Sequence, residues 1–199
     1  MDRNYQKELE QLIAGLQSEN QKKKLLLHSC CAPCSSYVLA YLKQYFDITV
    51  FYYNPNIMPE EEYQKRLSEQ KRLLQEAYAE VQFIEGHYEP AVFHKMARGL
   101  EQEPEGGARC FRCYELRLRE TARLAKENGY DYFATTLSIS PHKNATKLNE
   151  IGERVGAENG IPHLPSDFKK KEGYKQSIEL SKKYHLYRQI YCGCQPTSS

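Results

Sequence analysis

The chain has no tryptophan, only three methionines and almost no net charge: 28 basic residues against 26 acidic ones leave +2 over 199 positions. So even a balance sets up no global field toward nucleic acid or an anionic surface, and a charged partner has to be met by a local patch. No apolar run approaches the roughly 18 residues that a membrane-spanning helix needs. The opening stretch, MDRNYQKELEQL, is polar and reads as an amphipathic helix rather than a secretory signal. A cytoplasmic location with no membrane partner is the resulting expectation. Internal repeats and low-complexity tracts are missing as well. So is a phosphate loop: the turn after the first apolar run matches neither GxGxxG nor GxxxxGKS/T, which argues against nucleotide binding there.

Cysteines stand in that place. HSCCAPCSS follows the run KKKLLL and carries Cys30, Cys31 and Cys34. Four more follow, Cys110 and Cys113 in CFRCYELRL and Cys192 and Cys194 in YCGC. Seven is an odd number, which a closed set of disulfides would not give, and disulfides are rare in the cytosol.

Hydrophobic content of 40% and aromatic content of 12% suit a globular fold with a real core. LLLHS, ITVFYYNPN, VQFIEG and YDYFATTLSIS read as strands. SSYVLAYLKQYF reads as a helix capped by Ser35 or Ser36, followed by helices over 59–79, PAVFHKMARGL, 111–127 and PHKNATKLNEIGERVGAEN. GYKQSIELSKKYHLYRQIYCGC reads as a final helix carrying the last cysteines. Strands alternating with helices predict an α/β fold with a mostly parallel sheet flanked by helices. The organisation expected is an N-terminal helix over 1–22 and a single α/β catalytic domain over 23–199. Ligands in such sheets bind beyond the carboxyl ends of the strands, where Cys30 to Cys34 and Ser138 to Asn144 both fall.

Cys31-x-x-Cys34 and Cys110-x-x-Cys113 supply four soft ligands, enough for a tetrahedral zinc or an iron–sulfur cluster. A structural zinc knot would use four thiols and leave three unexplained. A thioredoxin-like pair would need one CxxC, not two. Free cysteines as small hydrophobes account for one of the seven rather than all. Cys192 and Cys194 could close a strained, easily reduced disulfide or give two thiolates to a second iron. The surplus over four favours redox chemistry. His28 reads either as a satisfied strand-end histidine or as a ligand or acid. SPHKN places His142, Lys143 and Asn144 at a helix start, suited to an anion or to a plain cap. DFKKK and SKKYHLYRQ read as a solvated face or as basic groups interleaved with aromatics for RNA.

Taken together, LLLHSCCAPCSSYVL, FYYNPNI, CFRCYELRL, TTLSISPHKN and DFKKKEGYKQSIELSKKYHLYRQIYCGC resemble the QueH-type epoxyqueuosine reductases, over all of the chain but its N-terminal helix. The resemblance implies a fold like the adenine nucleotide α-hydrolase (Rossmann-like) group, with the phosphate loop replaced by cysteines. It implies reductive removal of the epoxide oxygen of epoxyqueuosine at the tRNA wobble position, giving queuosine without cobalamin. It also implies a 4Fe-4S cluster, an additional iron or other metal, and an external electron donor. Carried onto this sequence, Cys31, Cys34, Cys110 and Cys113 are the expected cluster ligands. Cys30, Cys192 and Cys194 are left for the second metal or a redox pair. His28, His142 and Asp167 are candidate proton donors, and Lys143, Lys169, Lys170, Lys171 and Arg188 candidate RNA contacts. Two rival readings are a non-catalytic zinc-binding RNA module and a cluster-dependent tRNA thiolation enzyme using ATP. The missing phosphate loop argues against the second.

Overall fold

Three consecutive leucines give a strand no polar face to turn toward water, so it belongs in the middle of a sheet covered on both sides. The computed structural model of the chain, which describes residues 3–17 and 22–194, puts it there. Four strands, β1 (Lys23–His28), β2 (Phe46–Tyr52), β3 (Gln82–Glu85) and β4 (Tyr132–Thr135), form one sheet in the order β3-β2-β1-β4. Every pairing is parallel, with Leu26 opposite Thr49 on one side and Phe133 on the other. The helices among the described residues are α1 (Tyr5–Leu16), α2 (Ala32–Leu42), α3 (Glu60–Ala77), α4 (Pro90–Ala97), α5 (Ala108–Glu127), α6 (Ala145–Asn159) and α7 (Gly173–Lys183). A single 3-10 turn, Thr136–Ile139, follows β4. The architecture is the expected α/β, Rossmann-like one.

The side chains of β1 alternate between two cores. Leu25 and Leu27 join Leu9 and Ile13 of α1, Val38 and Leu39 of α2, and Leu73 of α3. Leu26 joins Leu118 and Ala122 of α5 and Leu148 and Val155 of α6. All three leucines are fully buried, each contributing about 1.5–3 kcal/mol by leaving water. The expected N-terminal helix thus packs through Leu9 and Ile13 into the main core, while residues 18–21 lie outside the described ones. The chain lays β1, β2 and β3 outward and then returns to add β4 on the other edge of β1. The loops leaving β1 and β4 therefore diverge at a topological switch point, where an open sheet offers its crevice.

Several helices differ from their sequence-based limits: α4 ends at Ala97 and α6 begins only at Ala145, capped by Asn144. α2 begins at Ala32, not after Ser35 or Ser36, because Pro33 is already set for the first turn and needs no donor there. The two serines are buried inside the helix and bond back to the carbonyls of Cys31 and Pro33 at 3.0 and 2.8 Å. α5 starts at Ala108 rather than at 111, so Cys110 joins Cys113 on the helix, one turn apart. α7 stops at Lys183. The left-handed backbone at His185 (φ 49°) turns the chain away, and residues 184–194 run on as a strap without regular structure.

His163, after α6, faces Phe133 in an isolated parallel bridge, with the rings 5.1 Å apart. Its ring is buried and neither nitrogen has a hydrogen-bond partner among the described residues, and burial pushes its pKa down to about 4. The unfolded chain, with histidine near ~6.5, takes up the proton first as the pH falls. The stabilisation from the neutral ring is therefore complete above pH ~6.5 and is lost toward pH ~4, at up to about 1.4 kcal/mol per pH unit. We expect urea unfolding of the metal-free protein to show this loss and His163→Leu to flatten it. A variant with the wild-type slope would assign the acid sensitivity to other groups.

Candidate active site and metal centre

The loop leaving β1 is held from beneath before it reaches its cysteines. Ser29 is fully buried, its hydroxyl 2.5 Å from that of Ser35 and donating to Gln70 Oε1 at 2.7 Å. Asn54, in the Asn-Pro-Asn turn after β2, donates to the Ser29 carbonyl at 2.8 Å. Cys31 then takes extended backbone as the N-cap of α2, which places Cys34 in the first turn. The backbone N–H of Cys30 donates to Thr136 Oγ1 at 3.3 Å, tying the loop to the one that leaves β4. The three sulfurs converge, with Cys30 and Cys31 Sγ 3.8 Å apart and all three within 4.8 Å of one another.

Such crowding favours one negative sulfur shared by three. Hydrogen bonds from Cys31 and then Cys34 hold Cys30 well below the usual thiol range. The same contacts, with burial, push Cys31 and Cys34 up. The positive end of α2 adds to the preference for a thiolate here.

The other four cysteines line a second, narrower space, where no three sulfurs come within 4.8 Å of one another. α5 presents Cys110 and Cys113, and the strap brings Cys192 and Cys194 to them around a gap of about 10 Å³ also bordered by Arg109, Arg117 and Lys143. The thiol of Cys194 first, then Lys143 and Arg117 against the effect of burial, hold Cys192 below the ordinary thiol range. Burial raises Cys113 to about 11. All seven cysteines are free, so no disulfide joins Cys192 to Cys194.

α3 fixes the strap. Arg66, ion-paired with Glu62 at 2.6 Å, donates to the carbonyl of Cys192 at 3.0 Å. Arg72 donates to the carbonyls of Tyr184 and His185, and Glu69 accepts from the N–H of Tyr187 at 2.9 Å. Between strap and sheet lies a pocket of about 500 Å³. Its lining includes Cys30, Cys31 and Cys34, Asn56 and Ile57, Leu137 and Ile139 of the 3-10 turn, Tyr174 of α7, and Arg188 and Tyr191 of the strap. Cys192, Arg117 and Lys143 border both this pocket and the gap between the other thiols.

Spacing had paired Cys31 and Cys34 with Cys110 and Cys113 and set Cys30, Cys192 and Cys194 apart. The structure brings the sulfur of Cys30 together with those of Cys31 and Cys34, while the strap pair and the α5 pair border one gap without converging as closely. Of the candidate proton donors, His28 is a satisfied core residue. Its Nε2–H donates to the Tyr53 carbonyl at 2.9 Å, and the Thr135 hydroxyl meets Nδ1 at 2.9 Å. Burial, then Arg117, pushes its pKa down to about 4. Asp167 is buried, paired with Lys169 and outside the pocket lining. His142 is on the pocket wall.

Among the basic candidates, Lys143 and Arg188 line the pocket, the former paired with Glu105 at 2.8 Å. Lys171 pairs with Glu10, and Lys170 is exposed with no ion-pair partner among the described residues. Sequence reasoning missed Asn54, Asn56, Arg66 and Arg117. The Asn-Pro-Asn turn at a strand end was a usable signal for the asparagines. The arginines sit in charged helical stretches that look solvated until the fold buries them.

A family model described as epoxyqueuosine reductase QueH matches residues 25–198. A protein of that name from Staphylococcus epidermidis is 47% identical over 197 residues, covering 96% of this chain and 83% of its own length. Its namesake from Streptococcus pyogenes serotype M1 is 45% identical over 195 residues, 96% of this chain and 76% of that one. The likeness persists at 33% over 173 residues, 85% of this chain and 88% of that one, in the namesake from Thermotoga maritima. Matches of that extent over a pocket walled by cysteines leave one conclusion: this chain belongs to the QueH family of epoxyqueuosine reductases.

Proposed function

We propose that this chain reduces the epoxide of epoxyqueuosine in tRNA to the alkene of queuosine, at a metal centre held by its cysteines. The observation that carries the reading is the pocket of about 500 Å³ at the carboxyl edge of the sheet, with three converging thiols on its wall. That volume lies in the range of small-molecule sites and suits one splayed-out base with its ring substituent. The reaction balances as epoxide plus two electrons and two protons giving alkene and water. It needs no phosphoryl donor, in keeping with the absent phosphate loop.

The donor set suits a soft metal. Two thiolates at about 2.3 Å on one tetrahedral ion stand about 3.8 Å apart, which is the Cys30–Cys31 spacing. We assign a 4Fe-4S cluster and a further iron to the two thiol groups, three sulfurs from the β1 loop and four from α5 and the strap. When bound, such a group supplies electrons one at a time, drawn from an external donor in the cytoplasm.

The chain's own groups do the rest. Ile57, Leu137 and Ile139 give the pocket an apolar stretch of wall. Asn56 is buried there with an Oδ1 that has no partner, ready to accept from the edge of a base. Tyr174 and Tyr191 offer faces for stacking, and Arg188 and Lys143 offer charge for phosphates. His142 stands on the pocket wall and is our donor to the departing oxygen.

Anaerobically prepared protein should carry iron and acid-labile sulfide. With a strong reductant, and neither cobalamin nor ATP, it should convert epoxyqueuosine-containing tRNA to a product lighter by one oxygen atom in nucleoside mass spectrometry. Loaded protein that leaves the mass unchanged, or active protein holding zinc alone, would sink the proposal. Cys31→Ser should lower bound iron and cut turnover at least about 100-fold, since an alcohol is a poor soft-metal ligand. Full iron content in that variant would remove Cys31 from the centre. Arg188→Ala and Lys170→Ala should each reduce the salt slope of tRNA binding by about one unit. A pair of variants with the wild-type slope would place the phosphates elsewhere.

A further inference from the structure

Arg117 takes a charge into the interior with no acid to meet it. It lies on α5 one turn after Cys113 and is 2% exposed. Its Nε donates to the Cys113 carbonyl at 3.3 Å and its Nη1 to Asn54 Oδ1 at 3.4 Å, both long for such bonds. No carboxylate pairs with it among the described residues, whereas Arg66, Arg72, Arg119, Arg123 and Arg154 each hold a glutamate. A guanidinium does not give up its proton, and burying it is expensive unless an anion compensates. The groups that bear on it are sulfurs, Cys113, Cys192 and Cys30, together with Tyr114. It also borders both the large pocket and the gap between the other four thiols.

We propose that Arg117 is the countercharge of the metal–thiolate centre, a positioning residue that raises the centre's reduction potential. The inference rests on the proposed metal centre. Thiolates give that centre excess negative charge, and each added electron increases it. A fixed cation in a low-dielectric interior stabilises the reduced state more than the oxidised one. Charge, not shape, is what the position requires.

The test compares Arg117→Met, Arg117→Gln and Arg117→Lys with wild type for iron and sulfide content, midpoint potential by optical and EPR titration, and melting of the metal-free form. The neutral variants should load metal at a more negative potential or lose metal, and turnover with a weak reductant should fall about tenfold or more. A stronger reductant should recover their rate, and Lys should return the potential toward wild type. Metal-free Arg117→Met should melt close to metal-free wild type, because the cation has no acid to lose. A fully loaded neutral variant at the wild-type potential overturns this proposal alone. So does a metal-free Met variant that fails to fold, which makes Arg117 a packing residue, and so does a Lys variant no better than Met. Wild type that takes up no iron overturns the metal-centre reading, and this one with it.

Discussion

The contact on which the site depends is the grip of α3 on the strap. Seven sulfurs come from three segments spread over more than 160 positions, and only two of those segments belong to regular structure. The strap has no ladder of its own, so its carbonyls must be taken by side chains. Arg66 does this from a buried position, oriented by Glu62, and the N–H of Met58 donates to the Gly193 carbonyl at 2.9 Å. Gly193 has φ 95°, and a Cβ there would stand 3.3 Å from the Arg66 guanidinium. The turn between the last two cysteines thus favours glycine for its conformation, and a side chain there would crowd the Arg66 guanidinium.

Beneath the sulfurs lies a polar layer that is neutral, with only the Gln70 Nε2 left without a partner among the described residues. Ser29, Ser35, Gln70 and Asn54 bond to one another or to the loop backbone, and His28 is fixed in one tautomer between Thr135 and Tyr53. This layer sets the loop geometry without adding charge. The charged groups, Arg117 and Lys143, stand above it between the two thiol groups. Separating geometry from charge in this way lets the same backbone support whatever charge the centre carries.

The fold was legible because its signals are local. The LLL run marked a central parallel strand, and the alternation of strands with helices marked the architecture. The limits of α2 and α7 were not, since Pro33 starts one helix earlier than a serine cap suggests and tertiary contacts with Arg72 and Glu69 end the other. The set of sulfurs could be read, yet its division could not. CxxC spacing is silent on which pairs the fold brings together, and the partner of Cys110 and Cys113 is a strap some 80 positions away. The buried role of Arg117 was hidden for a related reason: a helix of alternating charges reads as solvated, and burial of one of them is decided by neighbours from other elements.

The strap also orders events during synthesis. Residues 184–194 follow every strand and helix of the described chain, so they leave the ribosome after the sheet and α5 have emerged. Until Cys194 is out, the nascent domain holds Cys30, Cys31, Cys34, Cys110 and Cys113 with no strap above them. A metal held by these thiols would meet an incomplete set before the strap emerges and the full set after it. The order of the sulfurs along the chain thus makes the strap pair the last thiols to join the others.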